Sequence, residues 1–524
     1  MMTEHAGPGA GQPVGARRWR DPALLVLALA LAALAYAPIV RNFFNADDFF
    51  HLYHIVNKDR LEFLLNMHGG HLLMVRNALF ILFFDVFGTD VAAYFWIVLA
   101  THLVNVALLF GIIRDLTGSA RLACFGAALW GVLPVQEGTL GWYSVYGHAV
   151  AATCTFLVVS ALARAAAGRP VHRLAPLLWT ALLLAGATSF GVGIGVAFAM
   201  PLVALLLMPP SPLRRWTVLL FSALALALPF LYFRLERLYV ELYGGLPPSL
   251  MLTSGLQYWH QHVLLFAQLI GYGISAVVLG VLHRPLFYPS PAGYAVAATY
   301  AALLVAVLVR GDAVLRRRIL ACLALCAGAY GIIAAGRGMF MAAGPGWMAQ
   351  MTRFHYVGTA ALAIATCLAL AQIAAWWRWS ARAGTALLLL WAGLTVLGQQ
   401  LLGLPIRHFD AARWETTWTL EQIRTAARSA PPAADVYIAN QVFKSVGLRM
   451  IARSDAFPGW AALYSIYFPD DVLDGRRIRF VEQDPNVIEA ARGDRRTAAL
   501  LVAPSDAPAE VYHPPALRRG PASE

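Results

Sequence analysis

Long apolar runs without charge dominate this chain, and they decide what it can fold into. Residues 174–190 and 191–208 follow one another without a charged side chain, and 22–40, 91–113 and 383–403 are equally free of charge. About 20 such residues are needed for a helix to cross a bilayer, where backbone polar groups must be satisfied within the segment. Over the whole chain 59% of residues are hydrophobic and 13% charged, against roughly 45–50% and about 25% in soluble domains. A water-soluble globule is excluded. So is an outer-membrane barrel, whose strands would read as alternating segments of about 10 residues. The expected fold class is an all-α polytopic membrane protein.

Arginine placement sets the expected orientation. Spans are expected at 22–40, 91–113, 121–136, 148–164, 174–190, 191–208, 216–233, 292–310, 319–336, 354–377 and 383–403, which makes 11 transmembrane helices. The segments 1–21, 114–121, 164–173, 209–216, 310–318 and 378–382 then lie in the cytoplasm. They hold 16 Arg against 4 acids and so carry the whole net charge of +12. An excess confined to one side is a positive-inside signal, and no nucleic-acid partner is needed to explain it. The expected location is a bacterial inner (plasma) membrane, multi-pass, with the N-terminus cytoplasmic. Residues 1–21 form a leader, and 22–40 outruns the apolar core of a signal peptide, so an uncleaved anchor is expected.

The transmembrane domain covers 22–403, with outer loops at 41–90 and 234–291. Two further apolar stretches, 72–87 (with Arg76 and Asp85) and 263–282 (rich in glycine), are expected to lie at or dip into the outer interface. That placement keeps every Arg cluster inside. From 404 the composition changes, and the last 121 residues hold 15 basic and 15 acidic side chains. Trp414–Ser429 reads as a helix, and β-like runs follow at Asp435–Asn440, Arg479–Glu482 and Ala498–Val502. A small extracytoplasmic α/β domain is expected over 404–524, fraying after Pro504. All five cysteines fall inside apolar spans, so no disulfide framework is expected.

The chemistry concentrates in the first outer loop. Phe49, Leu52, Tyr53 and Val56 recur at helical spacing, which predicts an amphipathic surface helix. Asp47, His51, His54 and Lys58 share its other face. An Asp at a helix start caps free N–H groups. A cap accounts for one carboxylate of the Asp47-Asp48 pair; the second invites a functional reading.

A carboxylate pair just after the first span, in a long outer loop, resembles the GT-C superfamily of membrane glycosyltransferases, which includes the protein O-mannosyltransferases and the aminoarabinose transferases of lipid A. Phe83-Phe84-Asp85-Val86-Phe87-Gly88 resembles that group's "LFG" surface helix. Leu133-Pro134-Val135-Gln136-Glu137 with Trp142-Tyr143-Ser144 is similar to an "HPV..E..W.S" stretch, and Arg353-Phe354-His355-Tyr356 to "ERYLY". The lysine of a "TKG" or "SKE" motif has no counterpart in Thr188-Ser189-Phe190-Gly191. The resemblance implies sugar transfer from a polyprenyl-phosphate-type donor to a lipid, glycan or protein acceptor at the outer face. It also implies Asp47 as the base, with Asp48 orienting the acceptor or a cation.

Such a transfer needs one carboxylate to deprotonate the acceptor and cations for the departing phosphate. Arg76, Arg337 and Arg353 are the candidate phosphate partners, because a planar guanidinium matches phosphate oxygens. Glu137, His51 and His54 are candidates on the acceptor side. Asp47 with the two histidines could also hold a divalent cation. A lipid-linked glycan flippase, or a glycan polymerase or ligase, is the alternative class. A transporter would place its ionisable residues at mid-membrane, often in two related halves, and neither pattern is present.

Overall fold

The computed structural model of the chain describes residues 14–45, 47–244, 259–282, 290–337, 345–377 and 381–402, with isolated positions elsewhere and, beyond 402, four short strands and a few helical positions. The first helices are α1 (Val14–Tyr36), α2 (Asp47–Asn57), α3 (Arg60–Leu65), α4 (Met74–Phe87), α5 (Val91–Thr117), α6 (Ala120–Gly131), α7 (Glu137–Leu140) and α8 (Gly147–Ala166). They continue as α9 (Ala175–Ala187), α10 (Gly191–Leu207), α11 (Pro212–Tyr243), α12 (Trp259–Leu279), α13 (Pro291–Arg310) and α14 (Ala313–Ala335). A short α15 (Pro345–Ala349) leads to α16 (Tyr356–Trp377) and α17 (Ala381–Leu402).

Among the described residues, 8 helices are long and apolar enough to cross a membrane. They are Asp21–Arg41, Tyr143–Ala166 (which contains α8), and α5, α11, α12, α13, α14 and most of α16. Helices α9 and α10, and Leu389–Leu401 within α17, are apolar but shorter. The architecture is that of an α-helical polytopic membrane protein. Two expected segments behave differently. The span expected at 121–136 is only the 12-residue α6, about 18 Å long at 1.5 Å per residue. It stops because Leu133, ahead of Pro134, is extended. Buried among α1, α5, α16 and α17, it has no lipid face of its own to fill.

The second is 263–282, expected to lie at or dip into the outer interface. Its helix, α12, is packed into the bundle, with half of its apolar stretch buried. Its glycines are contact points: Gly273 lies against Tyr330 and Leu362, and Gly280 against Trp391. The other interfacial segment is a 14-residue helix, α4, which buries Arg76, Asn77 and Phe80 and exposes Leu82 and Val86.

Caps fix where several helices begin. Ser119 accepts from the Leu122 amide at 3.3 Å, Ser211 from Arg214 at 3.1 Å, and Asp312 from Leu315 at 2.7 Å. These caps belong to the Arg-rich turns, and the turns meet. Asp115, nearly buried, pairs with Arg169 at 2.8 Å, while Arg318 donates to the Leu116 carbonyl. At the opposite ends of the same helices, α5 and α8 start and α14 finishes, and α2 with its flanking loops lies there. Close helix packing supports this frame. A side chain on Gly195 of α10 would collide with the carbonyl of Gly328 on α14, so only glycine lets the two backbones approach.

Beyond 402, strands β1 (Asp435–Ala439), β2 (Arg477–Val481), β3 (Thr497–Leu501) and β4 (Glu510–Tyr512) form one sheet in the order β2-β1-β3-β4. β1 runs parallel to β2 and β3, and β4 antiparallel to β3. The segment after Pro504, expected to fray, therefore contributes an edge strand. Most of the helix expected at Trp414–Ser429 lies outside the described residues.

Candidate functional site

Three loops are stitched together around the start of α2. Trp142 Nε1 donates to the Asn45 carbonyl at 3.1 Å, and Asn42 Nδ2 to that of Gly141 at 3.2 Å. Thr139 Oγ1 donates to the Arg353 carbonyl at 3.2 Å. Gly138 has no room for a side chain, since a Cβ there would collide with Thr352 Oγ1 and come within 2.5 Å of the Arg353 amide nitrogen. Helix α7 and the turn Thr352–Phe354 are thereby held face to face.

Asp47 and Asp48 open α2 and point into different surroundings. Asp47 is partly exposed, with 27% of its side chain accessible, and sits 3.5 Å from His68 Nε2. Burial pushes its carboxyl up, but the hydrogen bond and charge of His68, with the charges of Arg353 and Arg76, outweigh this and hold it below the ordinary value. Asp48 is fully buried. Ser144 Oγ donates to its Oδ1 at 2.5 Å and the Asn45 amide to its Oδ2 at 2.8 Å. Burial raises its pKa to about 7 against those two bonds, and the charge of Asp47 adds to the rise. Asp47 is thus an ionised, reachable proton acceptor, and Asp48 a carboxyl clamped inside the protein.

The three expected arginines all lie around Asp47. Arg76 is 1% exposed and donates from Nη2 to His51 Nε2 at 3.1 Å, while its Nε and Nη1 have no partner among the described residues. Arg337 donates to His71 Nε2 at 2.8 Å and stacks over Phe354. Arg353 lies over the rings of Trp142 and Phe354. Burial lowers all three, Arg76 and Arg337 to about 10, which leaves them cationic at neutral pH. Among the described residues neither Arg76 nor Arg353 forms an ion pair with a carboxylate. Buried cations normally have one.

The acceptor-side candidates are placed differently from expectation. His51 is buried between Arg76 and Phe63, and burial and Arg76 keep its imidazole neutral. His54 contacts Asn66 Nδ2 at 3.3 Å, and burial lowers it to about 4. Neither turns toward Asp47, whose partner is His68. No group of three His, Cys, Asp or Glu side chains gathers for a metal among the described residues, so the expected Asp47–His51–His54 cation set does not fit. Glu137, the third acceptor-side candidate, is buried at the start of α7, beside the turn carrying Arg353.

Residues that sequence reasoning missed complete the site. His68 and His71 flank Gly69-Gly70, a pair whose positive φ values fold the loop back on itself; a His-Gly-Gly-His stretch inside an acid-bearing loop was the available signal. His71 and His148 each face Phe190, with ring centroids 4.5 and 4.0 Å away. Tyr467, from beyond the membrane helices, packs against their core with its hydroxyl buried and unpartnered, near enough to Asp48 for charge to act between them. Below His71, His148 and Arg337 opens a cavity of about 180 Å³, otherwise lined mainly by apolar side chains. No protein-family model matches the chain, and no curated protein shows significant similarity to it.

Proposed function

We propose that the chain is an integral-membrane glycosyltransferase of the GT-C type, moving a sugar from a polyprenyl-phosphate-type donor to a lipid, glycan or protein acceptor. The observation that carries this reading is the pairing of one reachable carboxylate, Asp47, with the buried guanidinium of Arg76 and the half-buried ones of Arg337 and Arg353. In the transfer, Asp47 removes the proton from an acceptor hydroxyl or amine, whose lone pair attacks the anomeric carbon. The bond from that carbon to the donor's phosphate oxygen breaks, and the phosphate leaves with the electron pair. The arginines meet the negative charge that develops there, in a site dry enough for it to count. Two carboxyls flanking a scissile bond, as a glycosidase needs, are not formed by this pair, because Asp48 is turned into the protein against Ser144.

In this reading eleven segments span a bacterial inner membrane: seven of the 8 long apolar helices, α12 excepted because a crossing there would put the turn at 310–318 outside, together with α6 and the turn after it, α9, α10 and α17. The Arg-rich turns face the cytoplasm, while α2 and an α/β domain built on the sheet beyond 402 face out. The test is transfer of labelled sugar from the lipid-linked donor pool of parental membranes to purified protein variants. Asp47→Asn keeps shape and helix-capping ability and should lose about 10²–10⁴ in rate. A folded variant transferring at the parental rate would reduce the pair to a helix cap.

A further inference from the structure

The cavity beneath Arg337 is amphiphilic in a directed way. Its polar end is built by His71, His148 and Arg337, and its body runs between α10, α11 and α14 past Ile194, Leu228 and Ile332. It reaches Phe198 and Phe233, rings about half exposed on the outward sides of α10 and α11, so it opens sideways. One polar group at its head is unspent. His148 is 2% exposed, and among the described residues its Nε2 has no hydrogen-bond partner. Its ring lies against that of Phe190, centroids 4.0 Å apart. A buried imidazole nitrogen without a partner costs stability, and a ligand that supplies one recovers it. Arg337 and Arg353 both lie near enough to His148 for their charges to act on it, so the missing partner is an acceptor that also carries negative charge.

We infer that His148 is a ligand-binding residue, donating from Nε2 to the phosphate of a single-chain lipid whose apolar tail leaves the cavity between α10 and α11. Arg337, held by His71, takes the phosphate from its other side. This rests on the transferase reading for its meaning, since it assigns the donor's lipid phosphate to this cavity and adds His148 to the residues that hold it. A neutral imidazole donates in only one tautomer, and the Nε2–H form is the one this position requires. Neither a free phosphate nor an alcohol of the same chain satisfies both ends of the cavity.

Farnesyl phosphate, farnesol and inorganic phosphate can be titrated into the purified full-length protein in lipid nanodiscs. Farnesyl phosphate should bind the tightest of the three. His148→Ala should weaken it about 10- to 100-fold, the usual worth of a hydrogen bond to a charged group, and leave farnesol unchanged. His148→Gln retains a donor and should recover part of the loss; it also serves if the alanine variant misfolds. Arg337→Gln should weaken farnesyl phosphate as well. Equal affinity for farnesol and farnesyl phosphate in the parent, or for farnesyl phosphate in parent and both His148 variants, overturns the assignment. Phosphate-dependent binding lost on His148→Ala, in a protein that transfers no sugar, would keep this site and sink the transferase reading. Transfer with unchanged donor affinity in the His148 variants would do the reverse.

Discussion

Two adjacent aspartates acquire different chemistry because one helical step turns them toward different neighbours. Asp47 faces His68 and three guanidinium charges and stays ionised, whereas Asp48 faces Ser144 inside the protein with a pKa of about 7. The raised value has a thermodynamic consequence whose sign follows from linkage. Unfolded Asp48 titrates near 3.8 and folded Asp48 near 7. Between those values the folded state holds a proton that the unfolded state has released. Its stability therefore declines as pH rises through that window and levels off above it. A difference of about three pH units corresponds to roughly 4 kcal/mol at most. Asp48→Asn should remove this slope, so the Tm difference between variant and parent should move in the variant's favour from pH 4 to 7 and then stay constant. A difference independent of pH would mean that Asp48 titrates normally.

At the scale of elements, the turn that carries Arg353 is placed by a backbone contact. The turn Thr352–Phe354 presses on Gly138 of α7 with no room for a Cβ. Gly138→Val should therefore push Arg353 out of the site. The loss in donor-dependent kcat/KM should be about as large as for Arg353→Ala, on the order of 10- to 100-fold, and the double variant should lose little more, because both changes remove one interaction. Losses that multiply would place Gly138 and Arg353 in separate roles. The same contact explains what the sequence could and could not convey. Local spacing located α2 and its Asp pair, most of the long apolar helices and the strands at 435, 477 and 497. It misjudged the buried side of α2, which includes Asp48, His51, Leu52 and Ile55 and leaves Val56 exposed. Hydrophobic spacing assumes that polar residues face water. Here Asp48 and His51 are buried because Ser144 and Arg76, remote in the chain, supply their partners. The contacts of Gly273 and Gly280 were illegible for the same reason, since the rings that fill the space beside them lie on other helices.

The molecule as a whole is polarised. Arg114, Arg164 and Arg169 gather around Asp115, and Arg318 reaches the end of α5 beside them, while the Asp pair, the three site arginines and the cavity head lie at the other ends of these helices. Arginine clusters of the first kind stay in the cytoplasm, so the site should face out, with the sheet beyond 402 and Tyr467 on the same side. This bears on the reaction itself. A site in the cytoplasm has soluble activated sugars within reach and no need of a lipid carrier. A site on the far face depends on a donor anchored in the bilayer, and a laterally open, apolar cavity below a cationic head then has a use. A reporter active only outside the cytoplasm should be silent when fused behind Arg317 and active when fused behind Ala433. Activity behind Arg317 with silence behind Ala433 would turn the site inward. The lipid-linked donor would then lose its physical rationale, even if Asp47 proved to be the base.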